Sequence, residues 1–259
     1  MTLRCLILAG SAEARRLSAL LAQDPEVSPL ASLAGATANP QSYDVPTRIG
    51  GFGGVEGLVR YLQANAIDAI VDATHPFATQ ISANAAAAAR MTRRPLVRLT
   101  RAAWRPTGRV RWRNAASALD AAAMPPKGAR AFLAVGGRSI EPFCARTDYW
   151  RAARRIDPPD APPPFSPGDW IIASPPFAEA DERALLKALK IDLLIAKNAG
   201  GEQGWAKLAA AADLGVPIIL IDRPTLPRAE TFETVEETIA ALKALKNRCG
   251  ERQDGQEQL

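Results

Sequence analysis

The sequence predicts an α/β protein built from two successive parallel-sheet halves. Three observations lead there. Short apolar runs bounded by turn residues alternate with helical patterns. The stretches between the runs are long enough for right-handed strand–helix–strand crossovers. The rhythm breaks once, over residues 101–128, and then restarts. Length agrees: 259 residues against about 150 per domain suggests one large or two modest domains.

The elements follow in order. Leu3–Ala9 is a buried strand and Ala12–Ala22 its helix. Leu30–Ala34 is a second strand. Val55, Leu58, Val59 and Leu62 recur at i, i+3, i+4 and i+7, so Val55–Asn65 is an amphipathic helix. Ala69–Ala73 is a third strand, Phe77–Arg90 an Ala-rich helix that permits close packing, and Pro95–Leu99 a fourth strand. Residues 101–128, rich in Arg and Trp and carrying Pro106, Pro125 and Pro126, read as a crossover. Strands resume at Ala131–Val135, Trp150–Ile156, Trp170–Ala173, Leu193–Ala196 and Pro217–Ile221. Their helices are Ala178–Leu189, Gln203–Leu214 and Val235–Leu245, and the Pro-rich 158–167 stretch is a loop. The expected organisation is a first domain at 1–100, the crossover at 101–128, a second domain at 129–247 and a polar tail at 248–259.

Composition narrows the function. Hydrophobic residues make up 47% and charged residues 23%, a globular balance. No run is long and apolar enough for a membrane span, and the N-terminal apolar run leads into a charged helix rather than a cleavage site. A cytoplasmic protein is expected. Cys5, Cys144 and Cys249 are scattered, and His75 is the sole histidine, which excludes a disulfide framework and a His-rich metal site. The net charge of +5 comes mostly from Arg, which favours planar anions such as carboxylate and phosphate. No basic recognition helix or zinc finger points to nucleic acid.

In parallel sheets, ligands gather beyond the carboxyl ends of the strands. There Gly10 permits a tight turn, and Ser11 caps a helix whose free amides suit a phosphate, unless the turn is an ordinary one. After the second strand, Gly35-Ala36-Thr37 offers no acid for ribose hydroxyls, which favours NADP over NAD if a dinucleotide binds. Gly50, Gly51, Gly53 and Gly54 bracket Phe52; so many glycines fit backbone approach to an anion, and Phe52 could stack on a flat ring. Thr74 and His75 follow the third strand, where the imidazole could donate a proton, bind an anion or merely cap the helix that Pro76 starts. Ser82 and Asn84 lie one to two turns further on, at capping or packing positions. In the second half, Gly136-Gly137-Arg138 and Lys197-Asn198-Ala199-Gly200-Gly201 follow strands and suit anions; Lys207 lies on the next helix. Arg98, Arg101 and Trp104 cluster at the crossover, facing a cleft or forming a salt-bridged interface.

Taken together, GGFGGVEGL, VDATHPFATQISANAAAA, PLVRLTRAAW and IAKNAGG followed by AKL, in this order, resemble the precorrin-6A reductase family of cobalamin (vitamin B12) biosynthesis. The resemblance runs from Leu6 to about Pro224. Two motifs depart from the family pattern: the opening turn is AGSAE instead of GGT-x-E, and KNAGG replaces a KNSGG-like segment at Ala199. The resemblance implies two Rossmann-like domains with an interdomain cleft, and NADPH-dependent reduction of one double bond of precorrin-6A to give precorrin-6B, without metal or flavin. It implies a tetrapyrrole partner whose acetate and propionate groups meet Arg and Lys. On that reading Gly10, Ser11, Glu13 and Gly50–Gly53 with Phe52 hold the dinucleotide. Thr74, His75 and Phe77 lie near the nicotinamide, with His75 the best candidate for the catalytic group. Arg98, Arg101, Lys197, Gly200 and Gly201 meet the substrate. Two rivals differ in class. One is a two-lobed anion-binding protein without catalysis. The other, a nucleotide-sugar dehydrogenase, expects Tyr-x-x-x-Lys, and none of Tyr43, Tyr61 and Tyr149 has a Lys four positions on.

Overall fold

A computed structural model describes residues 2–35, 41–159 and 161–254, with Arg138 and residues 248–254 by backbone only. The chain forms two compact units, one from residues 1–101 and 225–259, the other from 102–224. The first unit begins with β1 (Leu3–Leu8), α1 (Ala12–Leu21), β2 (Val27–Leu33), β3 (Thr47–Ile49), α2 (Gly54–Ala64), β4 (Ala69–Asp72), α3 (Thr79–Thr92) and β5 (Leu96–Leu99). The second contains β6 (Arg113–Ala115), α4 (Ala118–Ala123), β7 (Arg130–Ala134), β8 (Trp150–Arg155), β9 (Gly168–Ile172), α5 (Glu179–Ala188), β10 (Leu193–Lys197), α6 (Ala206–Asp213) and β11 (Ile218–Ile221). The chain then returns to the first unit for β12 (Glu230–Phe232) and α7 (Val235–Asp254).

Each unit has a six-stranded sheet, and every strand pairing is parallel. The orders are β3-β2-β1-β4-β5-β12 and β9-β8-β7-β10-β11-β6. Both are the doubly wound, Rossmann-like order, in which the winding reverses between two central strands, β1/β4 and β7/β10. The α/β, two-sheet expectation therefore holds.

The boundaries change, for a topological reason. The outermost strand of the first sheet, β12, comes from beyond the second unit in sequence, whereas β6, the outermost strand beside β11, opens the second unit itself. β12 pairs with β5 through Glu230↔Val97 and Phe232↔Leu99, and Val235, Leu242 and Leu245 of α7 share a core with Leu17 and Leu21 of α1. Residues from 225 on thus belong to the first unit, not to a domain at 129–247. The expected crossover at 101–128 is part of the second unit, where β6 pairs with β11. The expected polar tail is helical as far as Asp254.

Buried strands position the sites because both faces of each sheet are covered. Cys5 and Ile7 pack with Leu17, Leu21 and Leu242 on one face. Leu6 and Leu8 alternate to the other face, against Leu58 and Leu62 of α2 and Ala85 and Ala88 of α3. In the second unit Phe132, Leu194 and Leu220 pack with Leu186 and Leu208. No helix among the described residues is long and apolar enough to cross a membrane.

Cys5 is fully buried, and loss of water around the thiolate pushes its pKa from 9.0 up to about 12. Its proton is retained in the folded chain and lost first from the unfolded one. Wild type is therefore expected to lose stability relative to Cys5→Ala as pH rises from 9.0 toward about 12, and not below that window. Paired urea titrations across the range check this, and alkylation of the native protein at neutral pH should leave Cys5 unlabelled.

Candidate active site

The turns after β1 and β4 adjoin because these strands pair, Leu8 beside Asp72. Gly10 has φ +136°, a conformation L side chains rarely adopt, and nothing lies within 4 Å of where a Cβ would stand. Ser11 caps α1: its Oγ accepts from Ala14 N–H at 3.0 Å and donates to the Ala73 carbonyl at 2.9 Å. This hydroxyl ties the first turn to the turn after β4. Glu13 accepts from Arg101 Nη1 at 2.6 Å, with both side chains partly exposed. A predicted cofactor residue and a predicted substrate residue are thus paired.

The glycine loop is braced by Arg48. Its Nη1 donates to Ser32 Oγ and the Gly50 carbonyl, each at 2.8 Å, and its Nη2 donates to the Gly51 carbonyl at 3.1 Å. The same guanidinium lies 4.1 Å from the centroid of the Phe52 ring, which meets Tyr61 edge-on at 5.2 Å. Gly53 caps α2 in the left-handed region with no side-chain hydrogen bond. Phe52 therefore has protein partners for one face and its edge, and any stacking on a ligand uses what remains.

At the end of β4 the buried Asp72 collects three donors. Thr74 Oγ1 donates at 2.7 Å, the Thr74 N–H at 3.4 Å, and Arg98 Nε at 3.1 Å. Asp72 and Arg98 stand side by side in the β4–β5 register. Arg98 Nη1 also donates to the Pro227 carbonyl at 2.9 Å. Only 7% of Arg98 is exposed. It was expected to meet substrate carboxylates; the structure gives it an internal carboxylate instead, because strand register brings Asp72 to it.

His75 occupies the turn between β4 and α3. Its Nδ1 accepts from Phe77 N–H at 3.2 Å, and its carbonyl accepts from Ala78 N–H at 2.7 Å. The Phe77 ring lies 5.8 Å away. This turn delays α3 to Thr79, so Pro76 belongs to the turn and not to the first helical position expected for it.

In the second unit Lys197 ends β10 and donates to Ser139 Oγ, in the turn after β7, at 2.7 Å. Burial lowers its pKa from the usual lysine value. The next residues build the loop itself. Trp104 N–H donates to Asn198 Oδ1 at 2.8 Å and its indole Nε1 to the Gly201 carbonyl at 2.8 Å. Arg223 donates to the Asn198 and Ala199 carbonyls. Gly200 has φ +71°, and a Cβ there would stand 2.1 Å from the Ala102 carbonyl oxygen. Gly200 and Gly201, expected at the substrate, lie against residues 102–104, Gly200 by its close approach to Ala102 and Gly201 by the Trp104 hydrogen bond. Lys207, over the Trp104 ring, donates to the Gly204 carbonyl at 2.7 Å.

The structure thus brings Gly10, Ser11, Glu13, Arg101, Thr74, His75 and Phe77 to neighbouring turns of one sheet. Asp72 and Arg48 brace turns of that sheet, and Arg223 braces the loop after β10 in the second unit; none of the three was assigned a role from sequence. Asp72 had a signal, an acid closing the apolar run AIVD. The turn at Ala36–Thr37 lies outside the described residues, as does the side chain of Arg138.

Comparison with known proteins gives a consistent result. The family model described as Precorrin-6x reductase CbiJ/CobK matches residues 4–243. A protein of Rhodococcus erythropolis named precorrin-6A reductase is 47% identical over 248 residues, covering 95% of this chain and 99% of the relative. Its namesake from Rhodobacter capsulatus is 43% identical, covering 90% and 93%. A solved structure titled CobK precorrin-6A reductase superimposes with a TM-score of 0.89 at 42% identity, over 95% of this chain and 97% of that one. With the fold, the motifs and these relatives in agreement, the chain belongs to the precorrin-6x reductase family, a family of oxidoreductases.

Proposed function

We propose that the chain reduces one double bond of the precorrin-6A macrocycle with NADPH to give precorrin-6B, in the cytoplasm, as a step of cobalamin biosynthesis. The observation that carries the cofactor reading is the open side of Gly10 at the point where the winding of the first sheet reverses. A Cβ there would fill the space that a pyrophosphate needs. When bound, the nicotinamide supplies the hydride; the chain's own groups bind and orient.

The amides after Gly10 and the loop Gly50, Gly51, Phe52 and Gly53 hold the dinucleotide, and Ser11 fixes the first turn. Thr74 and Phe77 border the nicotinamide. His75 is assigned to the reacting end of the site, with its Nδ1 accepting from Phe77 N–H. Arg101 bonds Glu13 in the first unit and Lys197 bonds Ser139 in the second; each is assigned to substrate carboxylates by the family resemblance. Arg48 bonds Ser32 near the carboxyl end of β2, where this fold class places the adenosine ribose, and serves the 2′-phosphate.

The activity test adds purified precorrin-6A to enzyme and NADPH without oxygen. Substrate-dependent loss of NADPH absorbance, with a product heavier by two hydrogens, is expected; no loss overturns the reading. Arg48→Leu separates the cofactors. A hydrogen bond to a charged group contributes roughly 1.5–3 kcal/mol, so the NADPH KM should rise about tenfold or more while the NADH KM stays put. An equal rise in both would mean that only the loop was damaged.

A further inference from the structure

Two donors beside the His75 turn have no protein partner among the described residues: Arg98 Nη2 and Ser82 Oγ. Both side chains are more than nine-tenths buried, Ser82 at 1% exposure. Unpartnered polar atoms at such depth are costly. They line one cavity of about 10 Å³, together with Asp72, Thr74 and His75. That is roughly the room needed by the centre of one water, and a buried water makes two to four hydrogen bonds. A larger ligand does not fit.

We propose that this cavity binds one resident water, hydrogen-bonded to Arg98 Nη2 and Ser82 Oγ, and that the water locks the Asp72–Arg98 pair which positions Thr74 and His75. The water accepts from the guanidinium and exchanges a hydrogen bond with the hydroxyl. Arg98 then has all three of its nitrogens engaged: Nε on Asp72, Nη1 on Pro227 and Nη2 on the water. The guanidinium cannot rotate away from Asp72, and Asp72 cannot release Thr74. Arg98, Asp72 and Ser82 are positioning residues in this account; they act through the turn. The catalytic consequence rests on the reductase reading above, but the site itself does not.

The experiment has two arms. In a high-resolution crystal structure of the wild-type chain, a density peak is expected within hydrogen-bond distance of both Arg98 Nη2 and Ser82 Oγ. An empty cavity, the two atoms bonded directly to each other, or a peak with the anomalous signal of chloride overturns the assignment. The second arm compares Ser82→Ala, which leaves room for the water, with Ser82→Val, which fills the cavity. Ser82→Val should speed amide exchange at Thr74 and Phe77 and lower kcat about tenfold, the factor given by about 1.4 kcal/mol, with the NADPH KM unchanged. Ser82→Ala, which keeps room for the water but loses one of its bonds, should lower kcat by less than Ser82→Val does. Equal effects of the two substitutions overturn the lock. If Ser82→Val does not fold, Ser82→Thr adds the same methyl while keeping the hydroxyl. Density and exchange need no substrate, so an enzyme inactive on precorrin-6A would defeat the functional reading and leave these two measurements standing.

Discussion

Asp72→Ala is expected to destabilise the first unit by about 3–5 kcal/mol, the range for stranding one member of a buried ion pair. The substitution removes the acceptor of Arg98 Nε, Thr74 Oγ1 and Thr74 N–H at once. It leaves a guanidinium with 7% exposure next to an apolar strand. Surface pairs such as Arg16–Glu236, where both side chains are more than half exposed, are worth at most about 1 kcal/mol. Urea unfolding should separate the two cases without ambiguity. The double variant Asp72→Ala, Arg98→Leu removes the stranded charge as well as the acceptor. It should recover a substantial part of the loss, giving a coupling well above the roughly 0.5 kcal/mol scatter expected of independent sites. A single-variant loss below about 1 kcal/mol, or a double variant equal to the sum of the singles, would contradict a buried, coupled pair.

The second large effect falls on turnover. His75→Ala should lower kcat about a hundredfold, at the low end of what a positioned polar group contributes, with little change in NADPH affinity. The informative variant is His75→Asn. Nδ1 accepts from Phe77 N–H, so the imidazole serves as an acceptor within its own turn. An asparagine amide also presents one acceptor and one donor. It should recover roughly tenfold of the loss. Steady-state kinetics of the two variants decide the role. Equal loss in Asn and Ala would point to His75 as the proton source. Unchanged turnover in both would remove it from the site.

What the sequence disclosed follows from how each feature is encoded. The central strands β1, β4, β7, β10 and β11 are buried on both faces, so each shows a continuous apolar run such as CLIL or IILI. Three of the four edge strands, β3, β6 and β12, read TRI, RNA and ETF. They are three residues long, partly exposed and without apolar pattern, so nothing local distinguishes them from loops. Missing β12 hid the return of the chain to the first sheet, and missing β6 hid the start of the second, and with them went the domain boundaries. The same division holds at the site. That Thr74 and His75 follow a buried strand is a local fact, visible in AIVDATHP. That Arg98 belongs to Asp72 is a matter of register between strands 26 residues apart, and no spacing rule reports it. The glycines divide likewise: Gly10 opens onto space, whereas Gly200 meets the Ala102 carbonyl, and the two look equivalent as letters.

The central claim is that a nicotinamide held at the β1/β4 turns delivers its hydride to the macrocycle. The direct measurement is a single turnover with NADPH deuterated on the transferring face of its reactive carbon, followed by mass spectrometry of the tetrapyrrole. One deuterium on a ring carbon of the reduced product is the result this account requires. A reduced product carrying only solvent hydrogen, or cofactor left unoxidised in the presence of precorrin-6A, would contradict it.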